Sequence, residues 1–187
     1  MQPPIVRRAT PADLPLLEAI EREADLLFVE RFAASDWPPP ATGAARDADP
    51  GFLLVAELAG TVVGFAHVLE PEARAGDPDG APRLAHLEQL SVSPAVTRRG
   101  IGSELLATAA RVAHERGAEL LTLRTYRDVP WNAPFYRARG FAEIVPDRGF
   151  LRELPASEHS EGIHAFGERV LLARELPAAH RETASSA

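Results

Sequence analysis

The stretch that most constrains this chain runs from residue 84 to residue 125. Residues 84–92 are rich in apolar side chains and end at Pro94, which reads as a strand that cannot continue. After a glycine-bearing turn, Ile101, Leu105, Ala109 and Val112 recur at spacings of four, four and three, the stripe of an amphipathic helix that Gly117 ends. Residues 120–125 then read as a second strand. A strand, a turn, a helix and a strand in that order place the end of one strand and the start of one helix at a single point.

That point is the run Thr97-Arg98-Arg99-Gly100-Ile101-Gly102-Ser103. Two glycines at i and i+2 let the backbone turn tightly and gather amide hydrogens at the positive end of a helix dipole, an arrangement that binds phosphate oxygens. Arg98 and Arg99 add charge at its rim. Taken alone, the same run fits a plain capping turn equally well. A dinucleotide fingerprint would put a third glycine at position 105, where this chain has Leu105.

The remainder fills in a mixed sheet. Thr10-Pro11-Ala12-Asp13 has a capping hydroxyl, a proline at the first helical position and an acid three residues after the cap, so a helix is predicted to start there. Leu14, Leu17 and Ile20 continue it, with Glu18, Glu21, Arg22 and Asp25 assigned to a solvated acidic face along with Glu23. Trp37 and the three prolines after it mark a break, and 38–51 reads as loop. Residues 52–58 and 61–69 form a predicted hairpin turned by Ala59 and Gly60. The proline-, glycine- and charge-rich 70–83 reads as a mobile loop and a candidate lid. A short helix over 131–139, strands over 141–145 and 169–175, and a disordered tail over 177–187 complete the reading. Strands joined by helices, with hairpins at start and finish, predict one α/β domain over 1–176, its mixed sheet covered on both faces.

Composition removes whole classes of chemistry. The 187 residues contain no cysteine, so disulfides, zinc-thiolate sites and thiol catalysis are excluded. All 20 basic residues are arginine, and without a lysine there is no P-loop. The net charge of −7 argues against nucleic acid and toward a cationic partner. No apolar stretch has the length of a leader or a membrane span, and a soluble, cytoplasmic protein is expected. The histidines show no spacing for a metal.

Two longer runs carry a resemblance. Leu87-Glu88-Gln89-Leu90-Ser91-Val92-Ser93-Pro94 followed by Arg99-Gly100-Ile101-Gly102-Ser103-Glu104-Leu105-Leu106 resembles motif A of the GNAT superfamily of N-acetyltransferases. Asp128-Val129-Pro130-Trp131-Asn132-Ala133-Pro134-Phe135-Tyr136-Arg137-Ala138-Arg139-Gly140-Phe141 resembles its motif B. The resemblance implies the GNAT fold, a mixed and mostly antiparallel sheet of about seven strands splayed at the middle between the strands at 84–92 and 120–125. It implies acetyl-CoA as cosubstrate and no metal. Its pyrophosphate would rest on the amides of Arg98, Arg99, Gly100, Ile101, Gly102 and Ser103, and its pantetheine arm along Leu90, Ser91 and Val92. Two positions depart from the family pattern: Thr97 stands where Gln or Arg usually opens the loop, and Val129 where an asparagine is common. Asn132 is the nearest candidate to take over that asparagine's bonding.

The chemistry needs a base and an acid. A primary amine titrates near 10.4 and must lose a proton to attack, whereas a thiol leaving group with a pKa of about 8.5 is helped by a donor. Tyr136 holds the family's position for that acid; otherwise it is a buried packing tyrosine. Strand alternation puts His86, Glu88, Leu90 and Val92 on one face, so that His86 or Glu88, resembling the histidine pair of the arylalkylamine N-acetyltransferases, is the candidate base. The alternative is that the two simply bond each other. The acceptor is expected to be a small-molecule amine, with 35–51 and 70–83 closing its pocket. A protein N-terminus or side chain, transfer to a hydroxyl, and a non-catalytic acyl-CoA sensor stay open, and a homodimer is compatible with the family.

Overall fold

The computed structural model describes residues 3–72, 77, 79–96, 98–147 and 149–176. The expected tail over 177–187, Thr97, and 73–76 and 78 of the expected mobile loop lie outside them. The chain runs β1 (Ile5–Arg8), α1 (Leu14–Phe32), α2 (Gly43–Ala48), β2 (Gly51–Leu58), β3 (Thr61–Leu69), β4 (Leu84–Val92), α3 (Ile101–Glu115), β5 (Leu120–Tyr126), α4 (Ala133–Arg137), β6 (Ala142–Glu143), α5 (Gly149–Ser160) and β7 (Arg169–Glu175). The seven strands form one sheet in the order β1-β2-β3-β4-β5-β7-β6, antiparallel throughout except for β4 beside β5.

Strand alternation sorts the side chains onto two faces. On one, Ile101, Leu105, Leu106 and Ala109 of α3 pack with Leu54, Ala66, Leu87, Leu121 and Leu123, joined by Phe135 and Tyr136 of α4. On the other, Leu17 and Ile20 of α1 pack on Leu53, Val55 and Phe65. Full burial of side chains of this size contributes about 1.5–3 kcal/mol each. The α1 face also carries α5, through Phe150 edge-on to His86 at 5.3 Å and Glu158 bonded to Arg124 of β5. The mixed sheet covered on both faces is thus observed.

The parting of the sheet is visible in its register. Parallel pairing of β4 with β5 runs from Leu84↔Leu120 to Leu87↔Leu123 and stops there. At the same place β4 bulges against β3: His67 pairs with Gln89 and Val68 with Leu87, leaving Glu88 as an extra residue. This corrects the expected alternation. Beyond the bulge Leu90 and Val92 turn to the α3 face, where they pack against its core. Gln89 and Ser91 stay on the face of His86 and Glu88, bonded Nε2 to Oγ at 2.9 Å.

Other differences are local. Helix α1 begins at Leu14, not Thr10, because the Asp13 carboxylate folds back to accept from Thr10 N and Oγ1, both at 2.7 Å, and is held by Arg7 at 2.7 Å. Segment 38–51 is not all loop: α2 is capped by Thr42 Oγ1, accepting from Ala45 N. Its first residue must be glycine, since a Cβ on Gly43 would lie 2.0 Å from the Leu14 carbonyl oxygen. Neither α2 nor α5 carries a periodic signal in the sequence, the first being short and the second interrupted by Pro155. The described parts of 70–83 line a separate hollow with Arg116 and Phe150, and the rest of the expected lid lies outside the described residues.

Candidate active site

The gap between β4 and β5 opens into two connected cavities. The first, about 610 Å³, lies between Leu90, Ser91 and Val92 of β4 and Asn132, Phe135 and Tyr136 around α4, with the head of α3 at one end. Helix α3 is entered through Arg98 (φ 63°) and Gly100 (φ 77°), and its first i→i−4 bond runs from Glu104 N to Gly100 O at 3.0 Å. The amides of Ile101, Gly102 and Ser103 precede that bond and have no intrahelical acceptor, as at any helix start. A Cβ on Gly102 would meet nothing closer than Phe135 at 3.7 Å, so the fold itself does not demand this glycine and the space before it belongs to the cavity. These residues fit an anion at the helix head and an extended arm along β4.

Of the predicted contacts, Leu90, Ser91, Val92, Arg98, Gly100, Ile101, Gly102, Ser103 and Asn132 line this cavity, and Arg99 does not. The Ser103 hydroxyl is engaged by Arg139, which donates to it from Nε at 3.2 Å and from its terminal nitrogen at 2.6 Å. Arg139 also lies 3.7 Å over the Phe135 ring and tethers α4 to the head of α3. Sequence reasoning missed it. Asn132 caps α4 without a side-chain bond to it.

The second cavity, about 450 Å³, lies under α1, α2 and α5 and is lined by His67, His86, Glu88, Glu21, Arg46 and Trp37, among others. Here 35–51 does close the pocket, through Trp37, Pro38, Pro39, Arg46 and Asp49. The two cavities share Asp25, Phe28, Gln89, Leu90, Asn132 and Tyr136. Tyr136 therefore stands where they meet. Its ring is edge-on to Phe135 at 5.1 Å and Phe141 at 5.8 Å, and its hydroxyl makes no hydrogen bond among the described residues. Burial pushes its pKa well above the usual phenol value, so it stays protonated at neutral pH.

His86 Nε2 and Glu88 Oε2 approach each other at 3.6 Å, beyond hydrogen-bond distance. Thr122 Oγ1 donates to Ala85 O at 3.2 Å and lies 2.9 Å from His86 Nδ1, so its one proton being spent, it accepts from Nδ1–H. That tautomer leaves the Nε2 lone pair toward Glu88. Burial, with Arg124 and Arg169 adding to it, drops His86 to about 3 and keeps it neutral. Glu88 moves the other way: its side chain is 41% exposed, but toward a narrow cavity, and loss of bulk water with Glu161 nearby raises its pKa.

The acidic face of α1 divides. Glu18 bonds Arg22 at 2.6 Å in the open and Glu23 accepts from Ser93, but Glu21 and Asp25 are 7% and 8% exposed and point inward. The signal was in the spacing: Leu17, Glu21, Asp25 and Phe28 continue one helical stripe. Arg46 bonds Glu21 at 2.6 Å and faces His67 Nδ1 at 3.4 Å. Burial raises Glu21 to about 7 and Asp25 to about 6, and lowers His67 to about 4. Among the described residues no group of three His, Asp or Glu is placed to hold a metal, and no helix is long and apolar enough to cross a membrane.

Comparison with known proteins agrees with this arrangement. The model of the acetyltransferase (GNAT) family matches residues 17–141. Mycothiol acetyltransferase of Sanguibacter keddieii is 33% identical over 118 residues, 61% of this chain but 36% of that protein, so the match spans about a third of the relative's length. Among solved structures, the ribosomal-protein-S18-alanine N-acetyltransferase of Escherichia coli superposes with a TM-score of 0.63 at 18% identity, covering 96% of this chain and 97% of that one. The PaiA N-acetyltransferase of Thermoplasma acidophilum, solved with coenzyme A, gives 0.62 at 17% identity over 93% and 99%. Since the family match runs from α1 past α4, taking in every element that builds the first cavity, the chain belongs to the GNAT family of acetyltransferases.

Proposed function

We propose that this chain transfers the acetyl group of acetyl-CoA to the amine of a small molecule. The observation that carries the reading is the junction at Tyr136: a cavity with free helix-head amides on one side opens onto a cavity with carboxylates on the other. The amides of Ile101, Gly102 and Ser103 hold the pyrophosphate, with Arg98 at the rim, and the β4 edge at Leu90, Ser91 and Val92, freed from β5 by the splay, accompanies the pantetheine arm. Asn132 lies beside the arm at the junction.

The amine enters through the second cavity. Its nitrogen attacks the thioester carbonyl carbon; the C–N bond forms, the C–S bond breaks, the amine proton passes to Glu88, and the sulfur receives the proton of Tyr136. Glu88 is the better base of the pair, because burial makes its carboxylate more basic than an ordinary one, whereas it holds the His86 imidazole near 3. His86 Nε2, 3.6 Å from Glu88, meets it with a lone pair and so favours the form of Glu88 that has taken up the proton. A cytoplasmic setting suits a reaction that consumes acetyl-CoA.

The test is thiol release from acetyl-CoA across amines, amino acids, peptides and aminoglycosides, with acetyl-CoA binding measured in parallel by calorimetry. Turnover on a small amine is expected. Turnover on peptides alone would move the acceptor to a protein, binding without turnover would favour a sensor, and no binding would overturn the reading.

A further inference from the structure

The second cavity holds more negative charge than its arginines balance. Arg46 is spent on Glu21, and Arg124 and Arg169 both bond Glu158 Oε1, at 2.8 and 2.7 Å. That leaves Asp25 and Glu88 with no guanidinium partner among the described residues, although both line the cavity. Asp25 is 8% exposed, and only the Trp37 indole and the Arg46 charge offset the burial of its carboxylate. Beside it the rings of Phe28 and Trp37 stack at 5.1 Å, and Phe28 lies 5.8 Å from Tyr126. A carboxylate backed by aromatic faces suits an alkylammonium, which gains both an ion pair and ring contact. A further polar atom, His67 Nε2, is buried in the same wall without a hydrogen-bond partner, which marks the cavity as built for a polar occupant.

We propose that the acceptor is dicationic, with two amines on a short apolar spine: one reacts at Glu88 and the other, still charged, is held by Asp25 against Phe28 and Trp37. Which end reacts rests on the acetyltransferase reading; the two-cation fit does not. An amino acid fits worse, since its carboxylate would meet three guanidiniums that each already face a carboxylate. Protonation agrees with this geometry: burial raises Asp25 to about 6 and raises Glu88 as well, so at pH 6.5 a fraction of these carboxyls carries a proton that an incoming dication displaces.

The experiment is calorimetric titration of the full chain with 1,4-diaminobutane, 1-aminobutane and 4-aminobutanoate at pH 6.5, in buffers of different ionisation enthalpy. The diamine is expected to bind at least tenfold more tightly than the monoamine, with protons released, and the amino acid most weakly. Asp25→Asn should bring the diamine close to the monoamine, with the thermal midpoint reported alongside as the check on folding; Glu23→Gln, on the exposed face, should leave the preference intact. Equal or weaker binding of the diamine, or a preference that survives Asp25→Asn, overturns the proposal. Failure of acetyl-CoA to bind in a separate titration would instead overturn the acetyltransferase reading, so the two failures are distinct.

Discussion

Replacing Tyr136 by phenylalanine separates a chemical role from a packing one. A buried tyrosine whose hydroxyl is hydrogen-bonded loses about 0.5–1.5 kcal/mol when the hydroxyl is removed. Here the hydroxyl has no partner among the described residues, while the ring keeps its edge contacts with Phe135 and Phe141. Stability should therefore change by less than about 0.5 kcal/mol, roughly 1–2 °C in the melting midpoint of a chain this long. General acid catalysis contributes about 10²–10⁴-fold. A thiolate leaving group with a pKa of about 8.5 depends less on protonation than an alkoxide does, which puts the expected loss in kcat at the low end, about 10–100-fold, or about 1.4–2.8 kcal/mol of barrier. The acetyl-CoA dissociation constant should move less than about twofold, because the helix-head amides are untouched. The assays are thiol release at saturating substrates, calorimetry and thermal unfolding on the same preparation. Unchanged kcat, or a loss of kcat matched by a loss of stability, would refute the acid role.

Glu88→Gln should remove the limb on which kcat/KM rises with pH: the raised Glu88 pKa places that limb above the ordinary carboxylate range, and a pH–rate profile retaining it would reassign the base. Gly102→Val should leave the melting midpoint within a few degrees and weaken acetyl-CoA about tenfold or more by calorimetry, since the side chain enters cavity space rather than protein. Arg46→Met strands Glu21 and should cost about 3–5 kcal/mol at pH 8 by denaturant unfolding. Glu21's folded pKa, about 7, lies above its unfolded value, so the stability its proton confers is present at low pH and lost as pH rises through 7. The cost of Arg46→Met should therefore shrink toward pH 5 and fall when Glu21→Gln is added; a deficit independent of pH would refute it.

The strand-turn-helix unit from β4 through α3 was legible because each part is local: alternation, a proline stop, two glycines at a helix head and a 3.6-residue stripe all follow from short-range sterics. The family's order of motifs supplied the sheet and the place of Tyr136. What the order of residues could not supply is which faces meet. One extra residue at Glu88 reverses the alternation of β4 beyond it, so that Leu90 and Val92 serve the α3 core while His86, Glu88 and Gln89 face the second cavity. Glu21 and Asp25 looked like a solvated face because charge usually is; they are inward because the second half of α1 spans the parted strands, where a cavity and not core lies beneath it. Arg46 and Arg139 depend on partners 25 and 36 residues away, and α5 reaches the site only by folding back over β5. Such contacts arise from the packing of distant segments, whose geometry is decided by the whole sheet and not by any window of sequence.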